Sequence, residues 1–525
     1  MDPSLLWLAL AGPAALAVIG LWPATAADAA PRAMVRAAQA ASGVTLAIAI
    51  AMAVLVAAMG PLATPVLPGF GLWFDALTAV MFVLVAFVGA IVIGFSRNYM
   101  DGDAGQGRFT KWLAFTLGSV LVVIISGNLI QFTLAWIATS VGLGRLLLFY
   151  PGRPAAILAA RKKFIAARIG DALLIGAMAL LWQAFGGLDY ATLFTGAQGL
   201  AGAAIPAGVS LAAFLFVGAA LLKSAQFPMH GWLTEVMETP TPVSALLHAG
   251  VINAGGFLLL RFSDILVLTA PALDTLAIVG GFTALFGSVV MLTQSSIKVS
   301  LAWSTVAQMG FMMLQCGLGA WSAALLHIVA HSLYKAHAFL SSGSVIDIAR
   351  ASWSPSPGGA PHPARLAIAA GLMLAVAVLV GEVFGFTLNN QPGILALGAI
   401  MLLGLIHLVA QGIDERPNAY VVVRTLAVTV LVAACYFALQ AGAMRLVGSA
   451  LPVGDGTHGP LTAIIAVMAV LAFALVMIFQ STFVRPGGGP RARALYVHVN
   501  NGFYVNTLAN RLVLKLWPTR AVDAR

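Results

Sequence analysis

Apolar runs of roughly 18 to 25 residues recur along nearly the whole chain, and that recurrence leaves few folds open. Inside a hydrocarbon layer about 30 Å thick no water satisfies the backbone, so such a chain crosses either as α-helices or as a closed β-barrel. Barrel strands would show two-residue alternation, which this sequence lacks. The expected fold class is an all-α polytopic membrane protein. Spans read at 4–22, 42–60, 71–95, 112–127, 129–149, 169–186, 206–226, 241–261, 272–293, 300–317, 321–345, 366–386, 394–411, 419–444 and 461–482, about fifteen crossings. Hydrophobic residues form 61% of the 525 and charged residues 8%, with a mean hydropathy of +0.99, which excludes an ordinary soluble domain. Ser4–Trp22 lacks a basic leading segment and reads as the first span instead of a cleavable signal.

The formal charge of +10 follows from where the basic residues fall. With the N-terminus outside, the inner loops collect Arg32 and Arg36; Arg97, Arg108 and Lys111; Arg153, Arg161, Lys162, Lys163 and Arg168; Lys298; Arg350 and Arg365; Arg416; and the tail. This positive-inside bias places the C-terminus in the cytoplasm and removes any need for a nucleic-acid partner. Cys316 and Cys435 lie far apart in apolar surroundings, so neither a disulfide framework nor a zinc site is expected, and no cofactor is assigned to this chain. Four segments organise the sequence: N-terminal spans over 1–110, a core over 111–350, further spans over 351–483 beyond a Ser/Pro/Gly-rich linker, and a basic tail with an amphipathic helix over 484–525.

One stretch resists a purely structural reading. From Lys223 to Arg261 the chain runs KSAQFPMHGWLTEVMETPTPVSALLHAGVINAGGFLLLR. Pro228, Gly231, Pro240 and Pro242 interrupt helical bonding, and a membrane tolerates such a break only where protein or a water-filled cavity satisfies the freed groups. Discontinuous helices of this kind mark ion sites in transporters. A tight loop with Glu235 and Glu238 in cytoplasmic water would account for the glutamates but not for Lys223, which ends a long apolar run. Lys223, Glu235, Glu238 and His248 are therefore candidate ion-path residues.

A second constellation lies in WSAALLHIVAHSLYKAHAFLSSGSV, where His327, His331 and Lys335 recur every four residues. On an α-helix they share one face over about 12 Å. A histidine titrates near working pH and a desolvated lysine can release its proton, so the stripe suits a proton relay. A metal site would need a further Cys or carboxylate, and none is near. Asp171, three residues after Arg168, and Glu382, ahead of GFTLNNQPG, are further path candidates, as is His407; Asp75 reads as a helix cap. Residues 151–168 read as an amphipathic helix on the inner surface, and the tail LYVHVNNGFYVNTLANRLVLKLW as a membrane-surface helix or a docking site for a cytoplasmic partner through Arg491, Arg493, Tyr504 and Arg511. No dinucleotide fingerprint, phosphate loop or nucleophile elbow is present, so the chain is expected to move something and not to be an enzyme.

KSAQFPMHGWLTEVMETPTPVSALLHAG, IKVSLAWSTVAQMGFMML and WSAALLHIVAHSLYKAHAFLSSGSVI resemble the antiporter-like membrane subunits of respiratory complex I, especially its L subunit, and of Mrp cation/proton antiporters, over roughly residues 70–345. The resemblance implies that Lys223 is the central lysine of a broken helix, with His248 beside it and His327, His331 and Lys335 as the connecting relay. It also exposes departures. Ile137 stands where the family has the glutamate that pairs with that lysine, Arg145 adds charge on the same span, and neither the second broken helix's lysine nor the long lateral helix has a counterpart. With the HVNNGFYVN-type tail, these features are similar to the DabB family of two-component inorganic carbon systems. That likeness implies a large cytoplasmic zinc partner resembling β-carbonic anhydrases (DabA), a bacterial inner-membrane location, and H+ or Na+ flow that drives one-way CO2 hydration on the partner. A proton-pumping L-type subunit of an NADH-quinone oxidoreductase, an Mrp-type antiporter subunit and a passive anchor for a soluble enzyme are the alternatives.

Overall fold

The computed structural model describes residues 3–64, 67–236, 239–343, 363–386, 392–406, 409–410, 419–452, 460–483 and 489–518, so Glu238 and His407 lie outside the described residues. The chain is a helical bundle. Its principal helices are α1 (Ala11–Leu21), α2 (Pro31–Met59), α3 (Ala76–Tyr99), α4 (Gln106–Ile125), α5 (Leu129–Leu147), α6 (Pro154–Phe185), α7 (Ala207–Lys223), α8 (Thr241–Ala249), α9 (Ala254–Arg261), α10 (Ala270–Met291), α11 (Ile297–Gly317) and α12 (Trp321–Leu340). After these come α13 (Pro363–Val383), α14 (Pro392–Leu403), α15 (Ala419–Val447), α16 (Pro460–Phe483), α17 (Pro490–Asn500) and α18 (Val505–Leu516). Among the described residues the only paired strands are Leu62–Ala63 and Trp73–Phe74.

Local chemistry sets where these helices begin. Asp75 accepts from the Thr78 amide at 2.8 Å and starts α3, Asn128 does the same for α5 through Ile130, and prolines open α2 and α6, where a missing amide costs nothing. Close packing then depends on small residues. Gly310 and Gly317 of α11 face the backbones of Ala284 and Ala277 in α10, where a Cβ would find no room. Among the described residues, ten helical segments are long and apolar enough to cross a membrane, and four shorter apolar helices accompany them. Helix α12 stands outside that set although it has 20 residues, because three histidines and a lysine lower its hydropathy.

Two sequence expectations are corrected here. Residues 151–168 do not form a separate surface helix; from Pro154 on they are the first half of the 32-residue α6, and Lys162 and Lys163 within them are buried. The span at 241–261 is not continuous either. Beyond the break between α7 and α8, a single 3-10 turn, Val251–Asn253, divides α8 from α9. The segment Thr241–Arg261 is buried throughout its length, so the freed backbone groups find protein partners: the Ser224 hydroxyl donates to the Ile252 carbonyl at 2.9 Å, and the Asn253 side-chain amide to the Ala249 carbonyl at 3.0 Å. The interrupted helix is the centre around which the rest packs.

Candidate ion pathway

The end of α7 delivers Lys223 to the side of α5. Its ammonium donates to the Ser140 hydroxyl at 3.2 Å and the Trp136 carbonyl at 3.5 Å, and it sits 4.2 Å from the centre of the Trp136 ring. Neutral dipoles and a π-face thus occupy the place where the sequence shows Ile137 instead of an acid. Lys163 of α6 donates to the Ser140 carbonyl from the other side. Between the two lysines lies a cavity of about 20 Å³, lined also by Trp232 and Val251, with room for about one water. Asp171 pairs with Arg168 at 2.6 Å, and its other charged neighbours are Lys223 and Lys163. The sequence places Lys223 and Asp171 among the path candidates, but Lys163 only among loop charges and Ser140 and Trp136 nowhere.

Next to Lys163 in sequence, Lys162 forms an ion pair with Glu235 at 2.6 Å. The tail completes it. From α18, the side-chain amides of Asn506 and Asn510 both donate to the same Glu235 oxygen, at 2.5 and 2.7 Å, while the Asn506 carbonyl accepts from Lys162 at 2.6 Å. Trp517 closes the contact against Phe164 and Arg161. The tail is therefore seated on its own chain through one face, whereas Arg491, Arg493, Tyr504 and Arg511 stay exposed on the other.

The histidine stripe lies beyond the 3-10 turn. His248 of α8 shares a hydrogen bond with Thr305 at 2.8 Å and stacks on Phe339 at 4.3 Å. His331 lies against the His248 backbone, and its ring is 6.0 Å from that of His327, which meets the Gln315 side-chain oxygen at 2.8 Å. Lys335 is fully buried and donates to the Leu301 carbonyl at 3.0 Å. Asn253 connects the turn to this helix by donating to Ser332 at 2.8 Å. The free Nε2 atoms of His327 and His331 are buried without a protein partner, and a cavity of about 390 Å³, walled on its far side by Tyr436 and Gln440, runs along them. Buried polar atoms of this kind are satisfied by water. His230, which sequence reasoning passed over, is wholly buried between Phe227, Phe286 and Trp303 with both ring nitrogens unpaired.

Three ionisable groups stand apart. Asp75 forms a buried two-point ion pair with Arg261, at 2.5 and 3.0 Å, besides capping α3. Glu382 is exposed on α13 and joins neither cluster. No group of three or more His, Cys, Asp or Glu converges among the described residues in a way that could hold a metal.

An interrupted, buried helix flanked by a lysine cluster and a histidine stripe defines a class, and the sequence matches it. Residues 126–354 fit the family model for the NADH:quinone oxidoreductase/Mrp antiporter transmembrane region, and residues 67–110 that for the complex I chain 5 N-terminus. The fold is similar to the Mrp complex from Dietzia sp. DQ12-45-1b, with a TM-score of 0.61 at 23% identity, covering 99% of this chain and 61% of that one. Closer sequence likeness lies elsewhere. A probable inorganic carbon transporter subunit DabB2 of Halothiobacillus neapolitanus is 40% identical over 85% of this chain and 80% of its own length. A probable DabB of Hydrogenovibrio crunogenus is 37% identical over 85% and 83%. The chain belongs to this family of inorganic carbon transporter membrane subunits.

Proposed function

We propose that this chain conducts protons from outside to the cytoplasm through the histidine stripe and the lysine cluster, and that the flow energises CO2 hydration on a cytoplasmic zinc-containing partner of the carbonic anhydrase type. The observation that carries the proposal is the row of ionisable groups leading away from the broken helix in both directions. On one side lie His248, His331, His327 and Lys335; on the other lie Lys223, Lys163, Lys162 and Glu235. Placing each such group within a membrane protein costs several kcal/mol unless it is paired or hydrated, and a passive anchor has no need of so many. Asp171 belongs beside Lys223 as its nearest carboxylate. Glu238 is retained as a candidate at the break, and Glu382, exposed on α13 and apart from both clusters, is left off the path. The partner is expected on the exposed face of the tail, in the cytoplasm at the inner membrane.

Relatives named as inorganic carbon transporter subunits support a role in inorganic carbon transport, and this chain's own geometry supports the conduction half of the proposal. The test uses the complete complex in cells that depend on it for growth in air. Lys223→Ala and His331→Ala, made separately, are expected to abolish inorganic carbon accumulation while both proteins remain in the membrane in normal amount. Undiminished uptake in both would falsify the path. Replacing external sodium with potassium at fixed pH separates the cations, since a proton path keeps its rate.

A further inference from the structure

The bundle end that carries the basic loops holds a cavity that the proposed path does not use. It measures about 380 Å³, within the range of small-molecule sites of about 300 to 1,000 Å³, and Arg32, Arg36, Gln39, Arg97, Asp101 and Gln106 line most of it. Arg32, Arg36 and Gln39 lie on one face of α2, separated by four and three residues. Arg97 comes from the last turn of α3, and the Gln106 amide of α4 donates to its carbonyl at 3.1 Å, which fixes the third wall.

The charges in this cavity are unbalanced. Among the described residues, none of the three guanidinium groups has an ion pair or a hydrogen bond. The nearby acids are engaged elsewhere: Asp28 accepts from the Arg108 amide at 2.6 Å, and Asp103 from the Gly105 amide and the Tyr150 hydroxyl at 2.8 and 2.9 Å. Asp101 alone faces three arginines. The start of α2 adds to the excess, because Ala30 caps it without a side-chain hydrogen bond and no acidic residue occupies its first turn. Pro31 has no amide hydrogen and the Ala33 and Met34 amides donate to the Ala30 carbonyl, so what this helix start adds beside Arg32 is the positive end of the helix dipole. Guanidinium forks match the oxygens of phosphate and carboxylate groups, and a bound anion relieves their mutual repulsion.

We propose that this cavity is an oxyanion site. Its ligand is either the phosphodiester of an anionic lipid, drawn in from the adjoining leaflet, or a free oxyanion such as bicarbonate or phosphate; the recognition chemistry is the same for both. The site does not depend on the ion path. The test follows thermal unfolding of the full-length protein in neutral detergent with added phosphatidylglycerol, bicarbonate or phosphate, each against chloride at equal ionic strength. At least one of the three is expected to raise the midpoint by several degrees, and Arg36→Gln with Arg97→Gln to remove that increment. A shift with the lipid alone assigns a headgroup; a shift with bicarbonate or phosphate assigns a free anion. If the double variant does not fold, Arg32→Gln, at the exposed start of α2, must by itself reduce the increment. No shift beyond chloride with any of the three, or an equal shift in wild type and variant, overturns the site.

Discussion

The two halves of the candidate path are built in opposite ways. The histidine stripe is largely the work of one helix: α12 supplies His327, His331 and Lys335, and its neighbours contribute single contacts such as Thr305 to His248 and Gln315 to His327. The lysine end is assembled from α5, α6, α7, the break before α8, and the tail, with Lys162 and Asn506 meeting across 344 positions of sequence. A stripe on one helix can be altered one step at a time. An assembly of five elements responds as a unit, so damage at one member reaches the others.

That difference is testable, beginning with its largest consequence. Glu235→Ala leaves Lys162 buried without its carboxylate and takes the acceptor from Asn506 and Asn510; the loss is expected to approach about 3 kcal/mol and to free the tail, seen as rapid proteolysis after α16. Asn510→Ala removes one hydrogen bond to that carboxylate, worth about 1.5 kcal/mol because Glu235 is a fifth exposed, and should loosen the tail partially. His327→Ala forfeits the Gln315 contact, about 1 kcal/mol, and should slow carbon uptake while leaving the tail as protease-resistant as in wild type. Tail release in the His327 variant, or none in the Glu235 variant, would erase the contrast. Glu382→Gln, at an exposed position of α13 apart from both clusters, is expected to change neither uptake nor stability.

The same contrast explains how much of the site was legible in the sequence. Spacing alone put His327, His331 and Lys335 on one face, and the cost of a lysine ending an apolar run singled out Lys223; the structure places all four in or beside the buried core. Lys162 and Lys163 were hidden in RKKF, because a charged cluster beside a span suggests water, and only the length of α6 shows that they turn inward. Ser140 and Trp136 carry no charge to draw attention. The tail offered one usable sign: Asn506 and Asn510 lie four apart beside Ala509 and Val513, a polar pair set into the less exposed face. The 3-10 turn at Val251–Asn253 follows Gly250 without a proline, so no residue there signals a second break. Fold class was easier, since apolar length decides it.

The contact between Glu235 and Asn506, 271 positions apart, also carries a consequence for how the protein is made. At a synthesis rate of about 5 to 20 residues per second, roughly 15 to 55 s pass between the emergence of Glu235 and that of the asparagines that hold it. Throughout that interval the Lys162–Glu235 pair lies in a bundle whose final helix has not yet been translated. Seating of the tail is therefore a late event in biogenesis, available only to chains whose last helices have been completed.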